Sequence, residues 1–217
     1  MRLITLGIVL LSCALLSSAA EPVCLPCSAR DAGGPEVLLK RGNERFVNND
    51  NKHPRSDVAC IRNFAEHDCQ PPFAVELSCS DSRFSPEILF DQGIGDLFVL
   101  RVAGNVATPE VMGSIEYAVA HLNVRYIVVM GHERCGAVKA AFDPKGFPEH
   151  LDSLWMRIRP SVSGSFNDAN WETATRDHVR RTVEELEKNL RLGDAHDIVI
   201  VGAYSKIANG AVELPIR

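Results

Sequence analysis

The sequence has little of several features that mark whole classes of protein. It carries 23 basic and 28 acidic residues, for a net charge of −5, and it shows no basic stripe, which argues against a nucleic-acid partner. Aromatic residues make up only 6% of the 217 residues, and no repeat or low-complexity block is present. The length suits one well-buried domain and is too short for two of full size.

Long apolar runs are also scarce, and the clearest one lies at the N-terminus. Residues 3–11 are apolar at all but two positions, and Ser18-Ala19-Ala20 follow as a small-residue cleavage site. This pattern predicts a signal peptide over residues 1–20 and an exported protein, periplasmic or secreted, with no stable membrane span after cleavage. A membrane anchor is an alternative, although the run is short for a span. A lipoprotein acylated at Cys13 is another, although its leader would be unusually short.

The most informative stretch of the chain opens with the motif Cys79-x-Asp81-x-Arg83. Residues 73–78, immediately before it, have the composition of a β-strand. Alternate residues of a strand project to the same side, so we expect Cys79 and Asp81 to leave the strand together, with Arg83 following at the same period.

The same stretch closes with His132-x-x-Cys135. The apolar run over residues 126–130 is typical of a parallel strand buried on both faces, and Gly131 is expected to end it. His132 would then leave the strand tip, and Cys135 would lie one turn into a helix over residues 135–142, facing the same way.

A helix predicted over residues 109–122 connects the two halves. Thr108 is its expected N-cap and Pro109 its first residue, and apolar residues recur at helical spacing. A strand, crossover helix and parallel strand connect right-handedly, which lines up the carboxyl ends of both strands. Ligands of open α/β sheets bind at those ends, so two thiols, an imidazole and a carboxylate are expected to meet there at spacings that suit zinc.

This arrangement resembles the β-class carbonic anhydrases, whose signature is Cys-x-Asp-x-Arg followed about fifty residues later by His-x-x-Cys. The likeness extends over residues 91–93, 101–105 and 113–118. It implies zinc-dependent, reversible hydration of carbon dioxide to bicarbonate and a proton by a metal-bound hydroxide. It also implies a homodimer or larger homo-oligomer, and it gives Gly104 a close backbone approach to the metal.

The resemblance assigns Cys79, His132 and Cys135 as zinc ligands and leaves two roles for Asp81. Its carboxylate is either the fourth ligand or the group that accepts the hydroxide proton. If the Arg83 guanidinium forks onto Asp81, the carboxylate is held off the metal, and both residues are catalytic. Bicarbonate-regulated members carry a tryptophan three residues before the first cysteine; Glu76 stands there, which implies no such inhibitory site.

Two other functions stay open at the level of sequence. The same site could hydrolyse another linear substrate, carbonyl sulfide or carbon disulfide. Alternatively, Asp81 could close the zinc permanently as a fourth ligand, which would make the chain a non-catalytic, zinc-stabilised binding module. Arg83 and Gly104 favour an enzyme, because a purely structural site needs neither.

The rest of the chain predicts an α/β fold with a central, mostly parallel sheet flanked by helices. About four parallel strands are expected, including residues 97–102 and 197–201, and Asn209-Gly210 marks a hairpin into a C-terminal antiparallel edge strand. Residues 21–34 are predicted to be a linker and residues 35–217 the zinc domain. His178 lies near the apolar stripe of a helix predicted over residues 173–190, and we interpret it as a packing or surface residue.

Four cysteines remain in the mature chain beyond the two assigned to zinc. In an exported protein an even remainder predicts disulfides, with Cys24–Cys27 and Cys60–Cys69 as one pairing among those that the sequence allows. The Cys24-x-x-Cys27 motif also fits a redox site, but no strand precedes it, so a structural role is favoured.

Overall fold

A computed structural model describes residues 33–193 and 195–216. The predicted signal peptide, the cysteine at position 13, the pair Cys24 and Cys27, and the predicted linker up to residue 32 lie outside the described residues. Among the helices that are described, none is both long and apolar enough to cross a membrane.

Seven α-helices and five strands are described. The helices are α1 (Pro35–Val47), α2 (Val58–Glu66), α3 (Pro86–Leu89), α4 (Pro109–Leu122), α5 (Gly136–Ala140), α6 (His150–Ile158) and α7 (Asp168–Asn189). The strands are β1 (Ala74–Ser78), β2 (Leu97–Arg101), β3 (Tyr126–His132), β4 (Val199–Ser205) and β5 (Val212–Glu213). Short 3-10 turns cover Ala103–Asn105 and Arg159–Ser161.

The five strands form one sheet in the order β2-β1-β3-β4-β5. All neighbouring pairs are parallel except β4 with β5, which pair antiparallel. The predicted fold class, with four parallel strands and an antiparallel C-terminal edge strand, is therefore confirmed. The carboxyl ends of β1 and β3 lie side by side at the centre of the sheet, which places the two halves of the sequence motif together.

The central strands β1 and β3 are buried along their whole length and separate two apolar cores. Alternate residues face opposite sides of the sheet. On one side, Val128 and Met130 pack with Leu39 of α1 and Val138 of α5. On the other side, residues including Val75, Val129, Ile115 and Val179 pack with α4 and α7. The rigid centre of the sheet thus supports the loops at its carboxyl end.

Helix α4 has the predicted bounds, and several other element boundaries differ from prediction. The Thr108 hydroxyl accepts from the Val111 amide at 3.4 Å, which caps α4 as expected. Helices α2, α3 and α6 were not predicted, because each is only four to nine residues long and so gives little periodic signal. Helix α7 begins at Asp168, before the predicted start at residue 173, because the Asn167 side chain caps it. Strand β4 starts later than predicted, at Val199.

Candidate metal centre

The first half of the site follows directly from the end of β1. Cys79 is 6% exposed, and two groups from the β2 end hold it in place. The Arg101 side chain donates to the Cys79 carbonyl at 3.1 Å, and the Gly104 amide donates to the Cys79 sulfur at 3.2 Å. Sequence reasoning missed Arg101, whose guanidinium also donates to the Asp81 carbonyl at 2.6 Å.

The second half follows from β3, and here two details of the prediction are wrong. Strand β3 does not end at Gly131 but continues through His132, and Cys135 is the N-cap of α5 rather than a residue inside it. The cause is Arg134, whose φ of 54° turns the chain through the left-handed region between strand and helix. This turn brings Cys135 back towards His132.

Cys79, His132 and Cys135 converge on one buried point. One side-chain atom from each residue, two sulfurs and an imidazole nitrogen, lies within 4.8 Å of the other two. The Glu133 carbonyl accepts from His132 Nδ1 at 3.0 Å, which leaves the lone pair on Nε2. That Nε2 is buried and has no hydrogen-bond partner among the described residues. An orphaned imidazole nitrogen beside two sulfurs fits zinc, which prefers this donor set.

A hydrogen bond between the Cys79 and Cys135 sulfurs shifts their pKa values in opposite directions. The hydrogen bond from Cys135 lowers the pKa of Cys79, against the opposing effect of burial, and nearby His132 acts in the same direction as the hydrogen bond. The same interaction raises the pKa of Cys135, because the pair then holds one proton between two sulfurs. Zinc would replace that proton, since thiolates rather than thiols are its ligands.

Asp81 does not join this cluster but pairs with Arg83. Arg83 Nε donates to Asp81 Oδ1 at 2.9 Å, and a terminal nitrogen donates to Oδ2 at 2.7 Å, so the guanidinium occupies both carboxylate oxygens. The Arg83 backbone amide adds a third hydrogen bond at 2.9 Å. The pKa of Asp81 falls to about 2, chiefly because of the Arg83 side chain.

The carboxylate nevertheless stays beside the cluster. Asp81 Oδ2 lies 3.9 Å from His132 Nε2. Arg83 is anchored on the far side by the Arg134 carbonyl at 3.2 Å, so the dyad spans the two halves of the motif. A cavity of about 660 Å³ lies next to the dyad and is lined in part by Arg83, Phe84 and Arg101, while the three cluster residues do not line it.

Gly104 occupies the close position that the resemblance implied. Its φ is 73°, and a Cβ built there would lie 2.5 Å from Ile158 Cδ1, so only glycine fits without a shift in the structure. Sequence reasoning missed its partner. His178 of α7 is buried, and its Nε2 lies 2.6 Å from the Gly104 carbonyl oxygen. The interpretation of His178 as a packing or surface residue therefore omitted a polar contact to the site.

The remaining cysteines behave differently from the pair at the site. Cys79 and Cys135 are free, whereas Cys60 and Cys69 are both disulfide-bonded. The expectation that cysteines outside the metal site form disulfides is thus confirmed for these two. The proposed Cys24–Cys27 bond falls on residues that are not described.

Comparison with known proteins agrees with this geometry. The sequence model of the family described as carbonic anhydrase matches residues 74–212. The carbonic anhydrase of Mycolicibacterium smegmatis is 40% identical over 195 residues, which cover 81% of this chain and 89% of that protein. Carbonic anhydrase 2 of Mycobacterium tuberculosis is 54% identical over 131 residues, which cover 57% of this chain and 61% of that protein.

Comparison with solved structures shows a shared fold. A crystal structure of a tetrameric β-carbonic anhydrase from Sordaria macrospora matches with a TM-score of 0.63 and 24% identity, over 70% of this chain and 85% of that one. That likeness concerns the fold alone. The family itself is assigned from the sequence model over residues 74–212 and from the 40% identical relative. The chain therefore belongs to the β-carbonic anhydrase family.

Proposed function

We propose that this chain catalyses the reversible hydration of carbon dioxide to bicarbonate and a proton, with zinc held by Cys79, His132 and Cys135. The observation that carries the proposal is the Asp81–Arg83 pair beside a three-ligand cluster. Catalytic zinc sites keep three protein ligands, whereas structural sites close all four positions with protein groups. Because Arg83 binds both oxygens of Asp81, this nearby candidate for a fourth protein ligand is held by another partner.

The residues of the site divide the work. When bound, zinc supplies the Lewis acidity that activates water for attack on carbon dioxide. Cys79 and Cys135 provide two negative charges that balance the ion, and Glu133, through its carbonyl, keeps His132 in the tautomer whose Nε2 can bind. These three groups set the charge and the position of the metal.

Asp81 and Arg83 orient the nucleophile. A pKa of about 2 keeps Asp81 ionised throughout the neutral range, so its oxygens accept a hydrogen bond from the nucleophile and orient it. Arg83 prevents the carboxylate from turning onto the metal, and its bidentate geometry is one that lysine cannot reproduce. This arrangement supports an enzyme over the zinc-stabilised binding module.

Stopped-flow measurement of carbon dioxide hydration tests the proposal. The purified zinc protein should accelerate hydration, a chelator should abolish the acceleration, and added zinc should restore it. Cys135→Ser should remove activity and most of the metal, because a soft site loses its match to zinc with one sulfur gone. The surface variant His150→Ala is the matched control. No acceleration by fully zinc-loaded protein would refute the proposal, and parallel assays with carbonyl sulfide and carbon disulfide would then identify a hydrolase.

We further propose that the chain assembles as a homo-oligomer. Several large apolar side chains are exposed in the single chain, among them Val58 at 68%, Ile88 at 56% and Ile61 at 52%. Val58 and Ile61 lie three residues apart on α2 and therefore share one face of that helix, and exposed apolar patches mark interaction sites. The similar Sordaria macrospora protein is tetrameric. Light scattering on the eluted protein should give at least twice the chain mass, and a monomer at micromolar concentration would contradict this.

Export is the third part of the proposal. The predicted signal peptide over residues 1–20 is supported by the disulfide-bonded Cys60 and Cys69, because disulfides persist in oxidising compartments. Mass spectrometry of the native protein should find a mature chain that begins at Glu21 in the extracytoplasmic fraction. An intact leader, or a lipid on Cys13, would show that the chain is anchored instead.

A further inference from the structure

A buried histidine next to Gly104 belongs neither to the three-residue cluster nor to the Asp81–Arg83 pair. His178 lies on α7 and is 2% exposed, and its Nε2 is 2.6 Å from the Gly104 carbonyl oxygen. A carbonyl oxygen only accepts, so Nε2 carries the proton and His178 is the donor. The other ring nitrogen, Nδ1, is buried without a partner among the described residues.

Gly104 connects this histidine to the cluster through its own peptide groups. Its carbonyl accepts from His178, and its amide donates to Cys79 Sγ at 3.2 Å. Its φ of 73° lies in the left-handed region, which glycine adopts without strain, and because glycine has no side chain of its own, contacts to its peptide groups fix its orientation. Ile158 and Ala137 pack against its α-carbon, while its amide and carbonyl groups bind Cys79 and His178.

Packing alone does not account for a histidine at this position. Burial lowers the pKa of His178 to about 4, so the ring is neutral in the folded protein, and its Nδ1 gives up water without gaining a hydrogen bond. A leucine would fill the space without that cost. The polar contact to Gly104 is the interaction that only the histidine provides.

We propose that His178 is a positioning residue for the zinc site, which holds Gly104 so that its amide donates to the Cys79 sulfur. This inference rests on the proposed function. A hydrogen bond to a thiolate withdraws electron density from the sulfur, and outer contacts of this kind tune the metal that the sulfur binds. Without His178, the Gly104 amide turns away, Cys79 donates more strongly, and the zinc becomes a weaker Lewis acid.

Substitution of cobalt for zinc reports directly on the electron density of the Cys79 sulfur. In the Co²⁺-loaded protein, His178→Leu should shift the sulfur-to-cobalt charge-transfer band to longer wavelength, because an unbonded thiolate gives up its electron more readily. In the zinc-loaded protein, the same variant should lose roughly tenfold in kcat with little change in KM and full metal content. His178→Gln, whose amide can donate to Gly104, should recover most of both signals.

Thr182→Val is the matched control. Thr182 lies one turn further along α7, is 2% exposed, and donates to the His178 carbonyl at 2.9 Å, so the variant loses a buried hydrogen bond of the helix without touching Gly104. Its band should stay at the wild-type wavelength. An unshifted band in His178→Leu, or an equal shift in Thr182→Val, would overturn the inference.

A measurement on the wild type covers the case in which His178→Leu does not fold. In the ¹¹³Cd-loaded, ¹⁵N-labelled protein, the Gly104 amide proton should couple to cadmium through the sulfur, and His178 should show a protonated Nε2. Absence of either signal would refute the inference. The tests also separate the two proposals, since an inactive wild type with a normal band shift rejects the proposed function alone, and an active wild type with no shift rejects the role of His178 alone.

Discussion

Two buried histidines, one in the cluster and one next to Gly104, show how the same side chain serves two purposes. His132 is 0% exposed and His178 is 2% exposed, and a backbone carbonyl fixes the tautomer of each. The Glu133 carbonyl accepts from His132 Nδ1 and leaves Nε2 free to bind a metal together with the two sulfurs, whereas the Gly104 carbonyl accepts from His178 Nε2. The first histidine offers a lone pair to a metal, and the second offers a proton to a loop. Burial alone does not reveal which role a histidine has.

The largest expected effect separates these two roles. His132→Ala should lose most of the zinc and at least about a hundredfold in carbon dioxide hydration, because the metal loses one of its three ligands. His178→Ala should keep its zinc. Elemental analysis of both purified variants checks the contrast, with stopped-flow rates measured on the same samples. Full zinc occupancy in His132→Ala would contradict the ligand assignment.

The next effect concerns the exposed side of the site. Arg83→Ala should keep the zinc and lose roughly tenfold or more in kcat, because Asp81 is then free to turn onto the metal. Arg83→Lys should rescue little, since an ammonium cannot bind both oxygens. X-ray absorption at the zinc edge should detect the new oxygen ligand.

The control for that experiment is Arg180→Ala. Arg180 pairs with Asp177 at 2.8 Å on the surface of α7, and both side chains are 43% exposed. A surface pair of this kind contributes little, so the variant should match the wild type within error. If Arg83→Ala behaved like Arg180→Ala, the Asp81–Arg83 pair would be no more than a surface ion pair.

A smaller effect appears in the pH dependence of stability. The pKa of His178 falls from 6.5 in the unfolded chain to about 4 in the folded protein, mainly through desolvation. The unfolded chain therefore binds more protons between these values, and stability falls as the pH drops from 6.5 towards 4. The loss amounts to about 3 kcal/mol at most. Chemical unfolding of zinc-loaded His178→Gln should show a shallower decline than the wild type, and identical slopes would mean that His178 is charged or exposed.

The smallest effect comes from Glu76, whose position on β1 places it in the sheet rather than in the site. It is 1% exposed, and burial raises its pKa well above the usual value of 4.5. Its contribution to stability is complete below pH 4.5 and is lost as the pH rises through the folded pKa. Glu76→Gln should keep activity within about twofold. Its stability, followed by chemical unfolding, should decline less than that of the wild type as the pH rises above 4.5. A large loss of activity would assign Glu76 a direct part in the chemistry.

The site could be predicted from the sequence wherever its residues adjoin buried strands. Cys79 and His132 lie at the ends of two segments with the pattern of buried strands, and the parallel pairing of β1 with β3 brings them to one place. The helix start at Cys135 was misplaced because the left-handed Arg134 gives no signal in its residue type. The sequence predicts two alternatives for Asp81, a fourth zinc ligand or a partner of Arg83, and the folded structure shows the pairing with Arg83.

His178 shows where sequence reasoning ends. It lies on an amphipathic helix beside an apolar stripe, where a histidine resembles any polar residue at the edge of the core. Its partner is a backbone carbonyl far away in the chain, and a backbone contact leaves no pattern in side-chain types. Arg101 was missed for the same reason, because both of its hydrogen bonds at the site are donated to backbone carbonyl oxygens.

The most direct test of the central claim follows ¹⁸O exchange between carbon dioxide and water by membrane-inlet mass spectrometry. This exchange reports hydration and dehydration at equilibrium and needs no indicator. The zinc-loaded wild type should deplete ¹⁸O from carbon dioxide far faster than buffer alone, while Cys135→Ser at the same concentration should match buffer. Equal depletion by the wild type and by Cys135→Ser would contradict the account.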